Sequence, residues 1–259
     1  MLGKEAKVMY NTNRINFMNT YFDSVSKEEA LNLLSAFIED GTPRLVTAPN
    51  TDMVVRMQHD TELATIMNSA DLVLTDGQII RFIARFLGTP IKERLTITYF
   101  IWDILKMCEE KGYSVYVFGG MQDYLGKAIS IICDKLPKLR MLGYKVFEIQ
   151  HKLDEETEKQ IVEEIREKKP DILLVGLGCP RQERFIYKNM KEYNVPVSLT
   201  IGGCMDYIAG RTKCAPEWMR KVGLEWFFRF SQEPKRLFKR YFVTDMEIFK
   251  LALKYKFKK

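Results

Sequence analysis

The sequence predicts an α/β fold: a mainly parallel sheet with helices on both faces, followed by a C-terminal helical appendage that is amphipathic. Three observations carry this. From residue 15 to 203, short β-rich runs alternate with longer helical patterns, the signature of strands joined by crossover helices. Those runs are continuously apolar rather than alternating, which requires cover on both faces of the sheet. After Gly210 the alternation stops, and aromatic and basic residues take over. The chain thus divides into an α/β core over residues 1–210 and an appendage over 211–259.

Taken in order, "RLVTAPN" (44–50) reads as a strand closing on a Pro-Asn turn, and "TDMVVRMQHDTELATIMNSA" (51–70) as one helix. "DLVLTDG" (71–77) is a second strand with a tight turn, followed by helical "QIIRFIARFLG". "YSVYVFGG" (113–120) leads into helical "QDYLGKAISIICDKL", and a weaker strand, "RMLGYKV", follows. "DEETEKQIVEEIREKK" is an exposed helix with acids early and bases late, as the helix dipole favours. "DILLVGLGCP" (171–180) precedes helical "RQERFIYKNMKEY", and "VSLTIGGCMD" (197–206) closes the series. In the appendage, "APEWMRKVGLEWFFRFSQ" reads as a helix with a soft point at Gly223. The rest, from Glu233 onward, reads as a second helix with Pro234 in its first turn. Leu237/Phe238, Tyr241/Phe242, Ile248/Phe249 and Ala252 recur there at helical spacing.

Composition narrows the function. The 259 residues are 46% hydrophobic and 29% charged, within the range of globular chains. No apolar run approaches the ~18 residues of a spanning helix, and the N-terminal stretch has no apolar core or cleavage site of a signal peptide. We expect a cytoplasmic protein. The five cysteines form no CxxC pair, and only His59 and His151 accompany them. A metal site is not expected, and the cysteines read as reduced core residues. The net charge of +6 is uneven: residues 211–259 carry 14 Lys/Arg against five Asp/Glu, which leaves the remainder at −3. Cations mixed with large aromatics suit an anionic membrane surface. They also suit stacking on RNA bases, or a docked helix with a solvated basic face.

Candidate chemistry lies at the strand ends, which in a parallel sheet share the carboxyl edge where such folds bind ligands. Turns containing Gly119, Gly120, Gly176 and Gly178 let backbone amides approach a phosphate or nucleotide, although tight turns need glycine in any case. Asp76, in the turn with Gly77, is either a general base or an Asx-type turn cap. Arg94 and Gln182 are polar side chains that loops can bring to the same edge; a surface charge and a helix-start residue are the alternatives. No Asp-x-Asp pair, GxGxxG, GxxxxGK[ST] or GxSxG occurs. This argues against a carboxylate-held metal on a sugar nucleotide and against dehydrogenase, P-loop and hydrolase chemistry. A departing diphosphate would then need Arg, Lys and amides.

"DLVLTDG", "RFLGTPIKERLT", "PDILLVGLGCPRQERFI" and "IGGCMDYIAGRTKCAPEWMRKVGLEWFFRFSQEPKRLFKRY" together resemble the WecG/TagA/CpsF glycosyltransferase family, over about residues 15–243. The resemblance implies a Rossmann-like core and inverting, metal-independent transfer of a sugar, typically N-acetylmannosamine or its uronic acid. The donor implied is a UDP-sugar, and no other cofactor is. The acceptor implied is polyprenyl-diphosphate-linked N-acetylglucosamine, in cell-surface polysaccharide or teichoic acid synthesis. It implies a protein held peripherally at the inner face of the cell membrane, with no nucleic-acid partner and with room for a homo-oligomer. By motif, Asp76 resembles the proposed base, Arg94 the basic residue near the donor, Gln182 the active-site glutamine and Asn50 the turn asparagine. Arg229, Arg236, Lys239 and Arg240 fall at the tail's diphosphate- and membrane-binding positions. Ala48 stands where a threonine is usual, so Thr47, one residue early, is taken as the substrate-binding threonine; Thr-Asp-Gly replaces Pro-Asp-Gly, and "ERLTITYF" lacks a usual Gly and Asp. These departures bear on the donor sugar, and they motivate a second reading: a non-catalytic nucleotide- or lipid-diphosphate-binding partner of the same fold.

Overall fold

The computed structural model describes residues 12–147 and 153–257. The N-terminal stretch read for a signal peptide falls largely outside them, as do His151 and the side chain of Arg236. The chain opens with an antiparallel hairpin, β1 (Arg14–Phe17) and β2 (Thr20–Asp23), and α1 (Lys27–Asp40). Then come β3 (Arg44–Thr47), α2 (Thr51–Met57), α3 (Thr61–Ser69), β4 (Leu72–Val73), α4 (Gln78–Leu87), α5 (Ile97–Lys111), β5 (Ser114–Phe118), α6 (Gln122–Lys135), β6 (Arg140–Lys145) and α7 (Glu155–Lys168). The core ends with β7 (Ile172–Val175), α8 (Arg181–Tyr193), β8 (Val197–Thr200) and α9 (Cys204–Ile208). The tail comprises α10 (Glu217–Lys221), α11 (Glu225–Gln232), α12 (Pro234–Lys239), a π-helical turn (Arg240–Thr244) and α13 (Glu247–Phe257).

The main sheet runs β4-β3-β8-β7-β5-β6, and every pairing in it is parallel. Its central strands are buried at successive positions because the two faces are covered by different helices, although β3 and β8 carry Arg44, Thr47, Ser198 and Thr200 among their apolar residues. Val46, Val115, Val117, Leu174 and Leu199 pack with α1, α5, α6 and α9. Leu45, Val73, Phe118, Leu173 and Val175 pack with the hairpin, α2, α3, α4, α7, α8 and α13. The α/β expectation therefore holds, down to the weak strand at 140–145.

Local readings differ in three places. Residues 51–70 form two helices, because Asp60 accepts from Leu63 N (2.9 Å) and caps a new start. The first tail helix is fully broken, not merely softened, at Gly223, where φ is +79° and α10 ends. The second is interrupted as well: Asp245 N donates to Arg240 O (2.7 Å), a five-residue step that opens the π turn, and α13 starts afresh at Glu247. The apolar stripe splits accordingly. Leu237, Ile248 and Ala252 are buried, while Phe238 (57% exposed) and Phe242 face outward.

Candidate active site

The carboxyl ends of β3, β4, β5, β7 and β8 lie along one edge, as parallel pairing requires. A cleft of about 710 Å³ opens over that edge, lined among others by Gly178, Gln182, Gly202 and Asp206. A more apolar cavity of about 260 Å³ lies where the start of α4 meets α11 and the π turn, lined by Ile79, Trp226, Tyr241, Phe242 and Met246. Asn50, Asp76, Arg229 and Arg240 line both. A pocket of about 230 Å³ at Gly119, Gly120 and Gly176 continues from the main cleft through Gly202, Asp206 and Arg211.

Asp76 reaches this junction because β4 is short and its continuation stays tied to β3: Leu74 N donates to Thr47 O (2.8 Å) and Asp76 N to Pro49 O (3.4 Å). Gly77, at φ +141°, supplies a backbone that other residues adopt only with strain, and it begins α4 with no side-chain cap. Asp76 thus stands one residue before the N-cap position, which Gly77 occupies. Burial pushes its carboxyl up, opposed by Arg229 and Arg94 and reinforced by Glu225. The Thr96 hydroxyl, which makes no regular hydrogen bond, lies close enough to favour the charged form. A carboxylate whose pKa is raised is a better proton acceptor than an ordinary aspartate.

The tail is latched over this carboxylate. Glu225 accepts from Arg94 Nη1 (3.2 Å) and from the Tyr99 hydroxyl (3.1 Å). Burial, with Glu225 adding to it, raises the Tyr99 hydroxyl's pKa, so it remains a donor. Arg240 donates to Asn50 Oδ1 (3.3 Å), which also caps α2 through Met53 N (3.2 Å). Arg229 stacks over the Tyr207 ring at 5.4 Å.

The residues expected from sequence are only partly gathered. Asp76, Asn50, Arg229 and Arg240 meet at the junction; Gly178 and Gln182 line the main cleft; Gly119, Gly120 and Gly176 line its extension. Arg94 lines the apolar cavity but is held by Glu225. Thr47 is wholly buried in β3, accepting from Thr200 Oγ1 (3.1 Å), and lines none of the three cavities. Ala48, one residue on, is the one that reaches the cleft. Lys239 is exposed on α12 and lines none of them either; the Arg236 side chain lies outside the described residues. Sequence reasoning missed Glu225, Trp226, Tyr241 and the Gly202–Asp206 turn. The one sequence hint was the Glu225-Trp226 pair just beyond the break at Gly223.

The sequence matches known proteins along most of its length. The model of the Glycosyl transferase WecG/TagA/CpsF family matches residues 15–259. Three curated relatives share the name N-acetylglucosaminyldiphosphoundecaprenol N-acetyl-beta-D-mannosaminyltransferase. That of Bacillus subtilis (strain 168) is 24% identical over 77% of this chain and 76% of its own length. The Bacillus spizizenii protein is 22% identical over 83% and 82%, and that of Staphylococcus aureus (strain MW2) is 23% identical over 88% of each. Because the family's pattern is matched across nearly the whole sequence, this chain belongs to the WecG/TagA/CpsF glycosyltransferases.

Proposed function

We propose that the protein transfers an N-acetylmannosamine-type sugar, with inversion and without a metal ion, from a UDP-sugar to polyprenyl-diphosphate-linked N-acetylglucosamine. The observation that carries this reading is the junction itself: Asp76 stands with Arg229 and Arg240 where a polar cleft meets an apolar cavity. The donor's diphosphate lies over the glycine turns and the acceptor enters from the aromatic side. The sugar and acceptor extend to this chain what the relatives are named for.

Asp76 takes the proton of the acceptor hydroxyl as that oxygen attacks the anomeric carbon. The bond from this carbon to the terminal phosphate oxygen of UDP breaks on the opposite side, so the configuration inverts and UDP departs. Arg229 and Arg240 meet the charge that develops on the diphosphate. Arg94 acts through Glu225, holding the tail in place.

Among the described residues, no helix is long and apolar enough to cross a membrane. The tail instead presents Trp218 (62% exposed), Phe227, Phe238, Phe242 and Val243 beside exposed Lys235 and Lys239. Rings at headgroup level with cations toward anionic lipid give a peripheral attachment, which brings the site to a lipid-linked substrate. Division of the chain at residue 210 belongs to this proposal, although Ile248 and Ala252 of α13 are part of the core. The test is UDP release from a panel of UDP-sugars with a short-chain lipid-diphosphate acceptor, with and without EDTA. Release that needs both substrates and ignores EDTA supports the reading. Absence of turnover with every donor, alongside retained UDP binding, favours a non-catalytic binding partner.

A further inference from the structure

Gln182 and its neighbour Glu183 form a buried pair whose bonding is unlike that of a free substrate ligand. Both are in the first turn of α8, Glu183 with no exposed surface at all. The Gln182 Oε1 accepts two backbone amides, Gly178 N (3.2 Å) and Gly202 N (3.1 Å), one from the turn after β7 and one from the turn after β8. Its Nε2 donates to Glu183 Oε1 at 2.8 Å. An amide flip would set the NH₂ against two N–H donors, so the acceptor at Glu183 decides which end of the amide faces the glycines.

We propose that Glu183 is a positioning residue: by accepting from Gln182 it fixes that amide, and the amide in turn brackets the Gly178 and Gly202 turns into the edge that receives the donor's diphosphate. Several facts agree. Glu183 takes part in no ion pair among the described residues, and neighbouring Arg184 is engaged instead with Asp60 and Glu62. Burial pushes the Glu183 carboxyl up, as expected for an acid that is cheaper to bury neutral than charged. The Cys179 thiol lies against it. A neutral carboxyl still offers the acceptor that the bracket needs.

Glu183→Gln keeps volume and an acceptor; Glu183→Leu keeps bulk and removes the acceptor. Hydrogen exchange of the ligand-free protein reads the bracket directly. We expect Glu183→Leu to speed exchange in peptides covering 176–182 and 200–204 by about tenfold, one lost hydrogen bond's worth, with Glu183→Gln unchanged. Calorimetric titration with UDP reads the consequence: about tenfold weaker binding in Glu183→Leu and none of that loss in Glu183→Gln. General destabilisation would instead speed exchange across the whole sheet. Local exchange unchanged in Glu183→Leu overturns the proposal, and so does loss of protection in Glu183→Gln. If the leucine variant does not fold, Glu183→Met, which keeps length and removes the oxygen acceptor, replaces it: faster local exchange than in Glu183→Gln supports the bracket and equal exchange overturns it. The ligand arm rests on the UDP-sugar reading; wild-type protein that does not bind UDP sinks that reading and leaves the exchange result standing.

Discussion

Removing the Glu225 carboxylate should release the tail from the core. Glu225 accepts two hydrogen bonds, from Arg94 and Tyr99, and the ion pair with Arg94 leaves both side chains only 16% and 15% exposed. A hydrogen bond to a charged group contributes ~1.5–3 kcal/mol. Discounting for solvent at a partly exposed pair, Glu225→Ala should cost about 2–4 kcal/mol of tail docking, a factor of roughly 30–1,000 in the closed-to-open ratio. Glu225→Gln keeps one acceptor and should lose less. The opening should be local, since α13 stays anchored through Ile248 and Ala252. Hydrogen exchange across residues 217–245, measured beside kcat/KM, is the assay. Faster exchange there, unchanged exchange in β3, β5 and β7, and a fall in kcat/KM ordered Ala below Gln below wild type is the expected pattern. Exchange and kcat/KM within twofold of wild type in Glu225→Ala would refute the latch.

Other outcomes follow from the same geometry. Burial raises the Asp76 carboxyl, so kcat/KM should fall on an acid limb above the ordinary carboxylate range. Glu225→Gln removes a neighbouring negative charge and should move that limb to lower pH. Asp245 is pushed up to about 6 by burial. Its folded form holds a proton that the unfolded chain has lost, so its stabilising contribution is complete below pH ~4 and is lost as pH rises through about 6. Asp245→Asn should therefore show a flatter Tm against pH between 4 and 7 than wild type. Arg240→Ala, which loses both the Asn50 contact and a cation at the junction, should lower kcat by about 10²-fold, checked by single-turnover transfer.

Much of the architecture was legible because β5 and β7 are almost continuously apolar, and β3, β5, β7 and β8 all run into glycine or Pro-Asn turns. The hairpin was not: its turn residues, Met18 (φ +52°) and Asn19 (φ +62°), do not spell the usual glycine-bearing signal. The tail's helical period was legible, but not its breaks, because the π turn rests on a backbone bond from Asp245 N to Arg240 O that no side-chain period displays. At the site, the place of Asp76 at the sheet edge could be read from its turn. Glu225 was hinted at only by its place beside Trp226, since its partner Arg94 lies 131 residues earlier. Gln182 was legible as a residue of the edge, but its two bonds to glycine amides belong to the folded loops. Thr47 was assigned by its place in a motif, whereas strand phase turns it into the core.

The role of Asp76 is tested most directly by Asp76→Asn, assayed for UDP release with lipid-linked acceptor beside UDP affinity and Tm. Loss of a general base should lower turnover by about 10²–10⁴-fold. UDP affinity should hold, and Tm should equal or exceed that of wild type, because a half-buried carboxylate whose charged form is disfavoured has been replaced by a neutral amide. A well-folded asparagine variant that turns over at the wild-type rate contradicts the account.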